Sequence, residues 1–348
     1  MTSSPRVIIL ATSKKTRGGV TSVVKAHKQG EQWEKYRCVW IETQIDKNVL
    51  MKFIYLLFSF LQFIIIIPFY DIVHIHTSAG NCAKLKTPYL FIAKLLRKKI
   101  IAHIHIGSQM ELYKNDYFFN YVLKNSDIII VLSNIFKEKI KNIYNLNNTV
   151  RVIYNPCIDV DTVNYEVRKK QILFAGILDH NKGFKDLLSA FALIATKHKD
   201  WKLIFAGNGE IDNGRALADN LGIKNQVEFM GWVNGKDKDT LFKESSVFCL
   251  PSYAEGFPMS ALDAWAYGLP VVCTPVGGLP DIIINGENSL VFNSGDVNKL
   301  SIQLERIITD EKLRFDISQK SKELALTTFN QKHINNQIGL LYKSLINV

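Results

Sequence analysis

Two carboxylates flank the start of a predicted helix in the segment EGFPMSALD, residues 255–263. The segment follows the apolar run Val247–Leu250, and Pro258 suits the first turn of a helix, where its missing N–H group costs nothing. The helix would direct the unbonded amides of its first residues toward the edge of a sheet, where they attract anions. Carboxylates repel phosphate but accept hydrogen bonds from hydroxyl groups, so Glu255 and Asp263 fit the recognition of a sugar and a ribose. The alternative is structural, with Glu255 capping the helix and Asp263 exposed.

Glycines follow three other apolar runs, at Gly18-Gly19, Gly207–Gly209 and Gly277-Gly278. Glycine lets a phosphate approach the backbone at the start of a helix, so each turn could hold a phosphate. Each is equally consistent with a plain tight turn. The chain contains no GxGxxG sequence, which disfavours a dinucleotide as ligand.

Four histidines occupy alternate positions of two apolar runs, His74 and His76 in the first and His103 and His105 in the second. Alternation along a strand lacks the i, i+4 spacing that chelates a metal on a helix, and no cysteine or carboxylate accompanies these residues. The sequence therefore predicts no metal site. We expect His74 and His103 to be core residues bonded to the backbone. His105 lies at a strand end before Gly107-Ser108, where a functional role is favoured.

These residues must be positioned by an alternation of short apolar runs with amphipathic segments of helical length. The runs are Val7–Ala11, Cys38–Ile41, Ile72–Ile75, Ile100–Ile104, Ile128–Leu132, Val150–Ile153, Ile172–Ala175, Leu203–Ala206, Val227–Met230, Val247–Leu250 and Val271–Cys273. Such runs are typical of parallel strands covered by helices on both faces. The alternation restarts after Asn155-Pro156, across the polar linker Asp159–Lys170. We predict an α/β fold of two Rossmann-like domains, residues 1–160 and 166–329, with a C-terminal helix over 330–348 that can pack back on the first.

Length and composition agree with two ordinary cores. With 348 residues, 47% hydrophobic and 22% charged, the chain is long enough for two domains and too apolar for disorder. Its five cysteines include no CxxC pair, which disfavours a disulfide framework or a zinc site and indicates reduced thiols in the cytoplasm. The first apolar run, Val7–Ala11, is too short for a signal peptide.

The net charge of +11 lies entirely in the N-terminal half. Residues 1–165 hold 22 Lys and Arg against 11 Asp and Glu, whereas residues 166–348 hold 21 of each. This asymmetry indicates an anionic partner, which could be a nucleic acid, a membrane surface or a phosphorylated substrate. A solvated basic surface without a partner would show the same pattern. The basic half contains no recognisable nucleic-acid-binding module, so we expect no nucleic acid as partner.

One segment of the same half is unusually apolar. In Val49–Tyr70 the single charge is Lys52, and Phe53–Ile67 is apolar except for Ser59 and Gln62. This stretch falls short of the ~20 apolar residues that span a bilayer, and it lies between two predicted strands of one sheet. We therefore favour a buried crossover helix over a helix that also contacts lipid, and both over a membrane span.

The chain resembles the retaining glycosyltransferases of family four, which have the GT-B fold. The resemblance is most specific between Phe229 and Asp281, in the segments FMGWV, LPSYAEGFPMSALDAWAYGLPVV and TPVGGLPDII. In this region the family has two glutamates separated by seven residues, in the pattern EGFP…LEA…G.PVV, which is followed by GG.PE. It extends to AGILDHNKGFKDLLSAF, LIFAGNGE, RVIYNPCID, DIVHIH, IAHIHIGS and the early glycine pair, and so covers nearly the whole chain. It implies two Rossmann-like domains that face each other across a cleft holding the active site.

The resemblance implies a role for each matching residue. Glu255 would bind hydroxyls of the donor hexose, Lys182 would neutralise the donor diphosphate, and His105 would lie beside the reacting sugar. Asp263 would stand in the place of the second glutamate, which binds the ribose. The backbone of further donor-binding residues would approach the phosphates, the sugar and the base. These residues are Gly18, Gly19, Gly231, Gly256, Phe257, Pro258 and Met259.

Two residues depart from the family pattern. Asp263 is one methylene shorter than glutamate, about 1.5 Å of reach, so its ribose contact would be direct, water-mediated or absent. Ile177 stands where the family usually has arginine, which removes one of two cations expected on the leaving diphosphate. His180, Lys185 or a cation of the first domain would substitute, unless the site relies on Lys182 and on helix N-termini.

The resemblance leads us to expect a metal-independent enzyme that transfers a hexose-type sugar, with retention, from a nucleotide sugar to a glycan or lipid-linked acceptor in cell-surface polysaccharide assembly. A UDP-sugar is the favoured donor, no cofactor is expected, and the N-terminal domain would bind the acceptor. The enzyme would be cytoplasmic, peripheral at the inner face of the cell membrane, with its basic half on the anionic surface. The alternatives are transfer to a small soluble acceptor, a nucleotide-sugar epimerase or phosphorylase of the same fold, and a basic nucleic-acid-binding protein.

Overall fold

The computed structural model of the chain describes residues 4–146, 148–160 and 168–346. The chain divides into two compact units, the first formed by residues up to Pro156 together with those from Gln331 onward, and the second by Cys157–Asn330. Residues 161–167 of the predicted linker lie outside the described residues. Each unit contains one six-stranded parallel sheet with helices packed against it. This architecture confirms the predicted α/β class.

The first unit has the strand order β2-β1-β3-β4-β5-β6. Its strands are β1 (Val7–Thr12), β2 (Val39–Gln44), β3 (Ile72–Thr77), β4 (Lys99–Ile104), β5 (Ile128–Val131) and β6 (Thr149–Val152). Its helices are α1 (Gly19–Lys28), α2 (Glu31–Lys35), α3 (Val49–Ile66), α4 (Asn81–Leu95), α5 (Tyr117–Lys124), α6 (Asn134–Tyr144) and, from the end of the chain, α13 (Gln331–Ser344). The inner strands β3 and β5 are buried along their whole length, which explains their unbroken apolar sequences.

Helix α13 completes the core of the first unit. Ile338 is buried in the same hydrophobic cluster as Tyr36 and strand β1. The ring of Tyr342 packs edge-on against Tyr36 at a centroid distance of 5.4 Å. Its hydroxyl oxygen lies 2.7 Å from Nδ1 of His74, in the middle of the sheet. The last helix of the chain is therefore an integral part of the first unit.

The second unit has the strand order β12-β11-β10-β7-β8-β9. Its strands are β7 (Gln171–Ala175), β8 (Lys202–Ala206), β9 (Val227–Gly231), β10 (Val247–Leu250), β11 (Val271–Cys273) and β12 (Leu290–Val291). Its helices are α7 (Phe184–Ala195), α8 (Ile211–Asn220), α9 (Gly235–Glu244), α10 (Met259–Ala266), α11 (Val297–Thr309) and α12 (Glu311–Leu326). The two-residue strand β12 is the one strand among the described residues that the apolar runs do not predict, because it is too short to form a run.

Helix α3 contradicts the expectation of a buried crossover helix. Of its residues only Ser59 and Phe63 are buried. With the turn that follows, Val49–Phe69, it is the one described helix long and apolar enough to cross a membrane, with a mean hydropathy of 2.3 and 17% of it buried. A helix that is apolar on all sides and largely exposed departs from the amphipathic pattern of surface helices in soluble proteins. The expectation failed because hydropathy alone does not distinguish a protein core from another apolar environment.

Candidate functional site

The loops that follow strands β7 and β10 meet at Lys182 and Glu255. These strands are neighbours in a parallel sheet, so their carboxyl ends lie at the same edge, where open α/β sheets bind ligands. Lys182 ends the 3₁₀ turn His180–Lys182, and its amide donates to Oδ1 of Asp179 at 2.9 Å. Its Nζ donates to Oε1 of Glu255 at 2.6 Å, and the same oxygen accepts from Oγ of Ser252 at 2.7 Å. The structure therefore brings together the two side chains that the resemblance assigns to the donor sugar and diphosphate.

Close backbone contacts hold these two loops together. Gly183 has φ of 66°, and a Cβ there would overlap the carbonyl oxygen of Pro251, so only glycine fits. The amide of Tyr253 donates to the carbonyl of Asn181 at 2.7 Å, and its hydroxyl donates to Oδ2 of Asp186 at 2.7 Å. The position of Lys182 relative to Glu255 is thus determined by backbone as well as by the ion pair.

Helix α10 begins beside Glu255. Pro258 is the N-cap, with φ −71° and ψ 117°, and lies one position before the first turn that we predicted for it. The amides of Met259 and Ser260 donate to no acceptor in the described part of the chain, as is usual at a helix start. Phe257 is buried and packs on Phe329 at a centroid distance of 5.4 Å, so its ring belongs to the core of the unit.

The glycine turn after β11 supports the Glu255 loop. Gly277 has φ of 66°, and a Cβ on it would overlap the carbonyl oxygen of Gly256. The amide of Gly278 donates to the same carbonyl at 2.8 Å. Gly277-Gly278, which the sequence leaves open as a phosphate turn or a plain turn, therefore contacts the backbone next to Glu255.

Asp263 lies inside α10 and is buried, so the alternative of an exposed Asp263 is wrong. Its Oδ2 accepts from Nζ of Lys238, on α9, at 2.5 Å. Burial raises the pKa of the Asp263 carboxyl, and the attraction of Lys238 opposes that shift. A salt-bridged carboxylate with little exposed surface still offers its second oxygen as an acceptor.

Lys238 and Ser252 are not predicted from the sequence. Ser252 could be found from its position three residues before Glu255, where a hydroxyl in a tight loop reaches the carboxylate. Lys238 is 25 residues from Asp263 and belongs to another helix, so nothing in the local sequence links the two.

Two further positions that the resemblance singles out, Gly231 and Ile177, lie at or just after strand ends of the same sheet. Gly231 ends β9 with φ of 66°, next to the side chain of Asn208. Ile177 follows β7 and is 52% exposed. Of the cations named as substitutes for arginine at this position, Lys185 is paired with Glu210 at 2.7 Å.

His180, the other nearby candidate, packs its ring against Tyr253 at a centroid distance of 4.9 Å. The second unit thus brings together Lys182, its ion-pair partner Glu255 and the unbonded amides at the start of α10, all at one edge of the sheet. That set can bind an anion and hydroxyl groups together.

The predicted site residues of the first unit are Gly18, Gly19 and His105. Gly18 is the N-cap of α1 with φ of 144°, and open space lies where a Cβ would be, which leaves its backbone accessible. His105 directly follows β4, and its amide donates to the carbonyl of Thr77 at 2.7 Å. Its Nε2 lies 2.9 Å from Nδ1 of His76, a hydrogen-bonding pair.

Five imidazoles form a stack on one face of the first sheet: His27, His74, His76, His103 and His105. His74 bonds to the Tyr342 hydroxyl and to Nδ1 of His103 at 3.3 Å, so the expected backbone partners are replaced by side chains. The ring nitrogens of His74, His76 and His103 lie within 4.8 Å of one another. The lack of i, i+4 spacing therefore does not exclude a metal site, because two adjacent strands direct their histidines to the same face. In the described part of the chain, these three side chains could hold a metal ion.

Burial keeps this histidine stack uncharged. It lowers the pKa of His27 to about 4 and that of His105 to about 3. Burial also holds the pKa of the other three well below 6.5. His105 therefore presents a neutral imidazole, which can accept a hydrogen bond or a proton.

Comparison with known proteins shows which family this arrangement is similar to. Residues 161–324, which include Lys182, Glu255 and Asp263, match the family described as glycosyl transferases group 1. An uncharacterised glycosyltransferase of Methanocaldococcus jannaschii is 28% identical over 299 residues, 79% of this chain and 75% of that protein. The capsular polysaccharide biosynthesis glycosyltransferase CapM of Staphylococcus aureus is 25% identical over 173 residues, 50% of this chain and 46% of that protein.

Among solved structures, HepE of Anabaena in complex with UDP superposes with a TM-score of 0.78. The alignment covers 97% of this chain and 100% of that one at 17% identity. A similarity of this extent at such low identity shows a shared fold, which is GT-B.

Proposed function

We propose that this chain is a group 1 glycosyltransferase, which transfers a hexose-type sugar with retention from a UDP-sugar to a glycan or lipid-linked acceptor. The match of residues 161–324 to that family supports sugar transfer. A donor with UDP is supported by the UDP complex of HepE, and a role in cell-surface polysaccharide assembly by the name of CapM. Retention is inferred from the family.

The contact of Lys182 with Glu255 beside the start of α10 is the observation that carries the proposal. The leaving group of a nucleotide sugar is a diphosphate, and its charge grows in an oxocarbenium-like transition state. Lys182 and the amides of Met259 and Ser260 would stabilise that charge. Glu255 would accept hydrogen bonds from the hexose hydroxyls, exchanging part of its contact with Lys182 for the donor.

We assign the remaining roles on the same premise. Asp263 would accept from the ribose hydroxyls with its second oxygen, and the turn at Gly231 would contact the base. His105, as a neutral imidazole, would accept a hydrogen bond from the reacting sugar or from the acceptor. The first unit would bind the acceptor. No metal ion would be needed, because a lysine and helix amides would take the charge of the diphosphate.

The experiment is a ligand screen followed by an assay. Nucleotides and UDP-, GDP- and TDP-sugars are added to the purified chain and thermal unfolding is recorded; a ligand at 100 times its Kd adds about 2.7 kcal/mol of stability. The stabilising sugar nucleotide is then incubated with lipid-linked, glycan and small soluble acceptors, with and without EDTA.

We expect stabilisation by UDP, transfer to a lipid-linked or glycan acceptor, anomeric retention, and no loss of rate with EDTA. Isomerisation of the donor in the absence of any acceptor would show that the chain is an epimerase and not a transferase. Activity lost with EDTA and restored by one divalent metal would overturn metal independence. Transfer to a soluble acceptor alone would overturn the acceptor class.

A further inference from the structure

The first unit exposes a large apolar surface on two neighbouring helices. We define this apolar face by its large hydrophobic side chains that are 37–69% exposed. They are Phe53, Ile54, Leu57, Phe58, Leu61, Ile64 and Ile65 of α3, Phe69 after it, and Phe91, Leu95 and Leu96 at the end of α4. A soluble monomer rarely leaves so many adjacent apolar side chains in water, so a surface of this kind marks an interaction site.

Helix α3 is held firmly along its opposite side. Ser59 bonds to the hydroxyl of Tyr89, on α4, at 2.6 Å, and Phe63 packs on the same ring at 5.1 Å. One turn before Ser59, Tyr55 donates to Oε2 of Glu42 at 2.6 Å. Tyr55, Ser59 and Phe63 are spaced by four residues, so a single stripe attaches the helix to the unit. The apolar face is therefore a surface of fixed shape.

The same attachment excludes a membrane span. A helix that spans a membrane alone contacts lipid around its whole circumference, whereas α3, the one candidate among the described residues, commits one stripe to the protein along its length. It also connects β2 to β3, two strands of one sheet, so both of its ends return to the unit. An occupant of the apolar face must cover it from one side.

Basic side chains lie at one end of the apolar face. Residues 49–108 contain seven Lys and Arg and a single acid, Asp71. Asp71 accepts from the amide of Arg6 at 2.8 Å. Lys98 donates to the carbonyl of Pro68 at 3.2 Å, which places its charge at the end of α3, and Lys94 and Arg97 are exposed next to it.

We propose that the apolar face lies in the headgroup region of an anionic lipid bilayer, with α3 parallel to the membrane plane. The positive charges favour an anionic lipid surface over a second copy of the chain, because a second copy docked on this face would place its own cationic side chains against the same cationic side chains. Lysine and arginine near an anionic leaflet add attraction, while the apolar side chains enter the acyl boundary. A lipid-linked acceptor would be reached at that surface; this last point alone rests on the proposed function.

Co-sedimentation with vesicles tests the docking without donor or acceptor. The full chain is mixed with vesicles of phosphatidylglycerol and phosphatidylcholine, or of phosphatidylcholine alone, at low and high salt. The apolar variant is Phe58→Ser with Ile65→Ser, and its matched control in the second unit is Leu193→Ser with Ile302→Ser, both 55% exposed. The charge variant is Lys94→Glu with Arg97→Glu, and its control is Lys199→Glu with Lys202→Glu.

We expect the wild type to bind the anionic vesicles, with about tenfold or greater loss in the apolar variant and in the charge variant, and none in either control. Thermal unfolding checks that every variant is folded, and the UDP-dependent rise in Tm, unchanged in all of them, separates docking from the donor site. Absence of binding to anionic vesicles at low salt would overturn the proposal. A dimer in solution that the apolar variant dissociates would instead make a second copy the occupant.

Discussion

At the scale of single residues, Lys182 and Glu255 stabilise each other before any ligand is bound. Glu255 is nearly buried, and its Oε1 accepts from both Lys182 and Ser252. Removing the lysine leaves a poorly solvated carboxylate without its charge partner, at a cost of about 1–3 kcal/mol. Folding and catalysis therefore respond differently to changes at this pair.

We predict that Lys182→Met and Glu255→Gln each lower turnover by about 10²–10³-fold, because both interactions strengthen in the transition state. Lys182→Met should also lower Tm, and the double variant should recover Tm without recovering activity. Initial rates and thermal unfolding measure both effects, with Lys199→Met as a control at an exposed lysine. Near-normal turnover in either single variant would remove that residue from the site.

A substitution at Asp263 tests whether this carboxylate binds the ribose of the nucleotide. Asp263→Asn should weaken UDP binding by about 1–2 kcal/mol, the value of a hydrogen bond to a charged acceptor. It should weaken binding of a deoxyribose analogue less, since that ligand lacks a hydroxyl for the carboxylate. Titration calorimetry with both ligands measures the difference, and Asp212→Asn, at an exposed acid of α8, is the control. An equal loss for the two ligands would assign Asp263 to its salt bridge with Lys238 alone.

Ile177 offers a gain-of-function test. Its side chain is 52% exposed, so arginine fits there without displacing the core. We predict that Ile177→Arg leaves Tm nearly unchanged and tightens UDP binding, because a second cation reaches the diphosphate. Ile302→Arg, at a similarly exposed isoleucine of α11, should change neither quantity. Weaker UDP binding in Ile177→Arg would show that the diphosphate lies elsewhere.

At the scale of elements, the position of Lys182 depends on the glycine that follows it. Gly183→Ala combines a left-handed backbone with an overlap against the carbonyl of Pro251, so the loop must move. Gly222→Ala has nearly the same φ, 71°, with open space around it. We predict a loss of about 1–2 kcal/mol for Gly222→Ala and a clearly larger loss, with reduced UDP affinity, for Gly183→Ala. Urea unfolding and calorimetry measure both, and equal losses would contradict the role of the close contact.

Elements differ in how far the sequence predicts them. Buried parallel strands are apolar without interruption, so eleven runs predict the two sheets, and only the two-residue β12 escapes. The EGFP segment likewise predicts the start of α10 to within one residue. By contrast, α3 has the hydropathy of a core helix and is exposed, because sequence does not encode which apolar environment a helix enters. The pairing of Lys238 with Asp263 also escapes, since it joins two helices whose packing no local pattern encodes.

At the scale of the whole molecule, the histidine stack makes the first unit sensitive to acid. The pKa of each of the five imidazoles is lower in the folded chain than the 6.5 of the unfolded chain, so unfolding takes up protons as pH falls. Their full contribution to stability is present above pH 6.5 and is lost progressively below it. For His27 alone, with a pKa of about 4, the loss by pH 4 is about 3 kcal/mol.

Urea unfolding between pH 8 and pH 5 tests this sensitivity. We predict a steep fall in the free energy of unfolding of the first unit below about pH 6.5. His27→Gln should reduce the slope, whereas His333→Gln, at an exposed position of α13, should not. A free energy of unfolding that is constant over this range would show that the histidines have the same pKa in the folded as in the unfolded chain.

The return of α13 to the first unit has a consequence for biosynthesis. Residues 157–330 form an insertion between β6 and α13, both of which belong to the first unit. On the ribosome, the second unit has all of its residues once Asn330 has emerged, whereas the first unit still lacks the helix that covers its histidine stack. The first unit is therefore the first to be translated and the last to complete its fold. Until α13 has emerged and packed on the first unit, the core near Tyr36 and His74 lacks this helix.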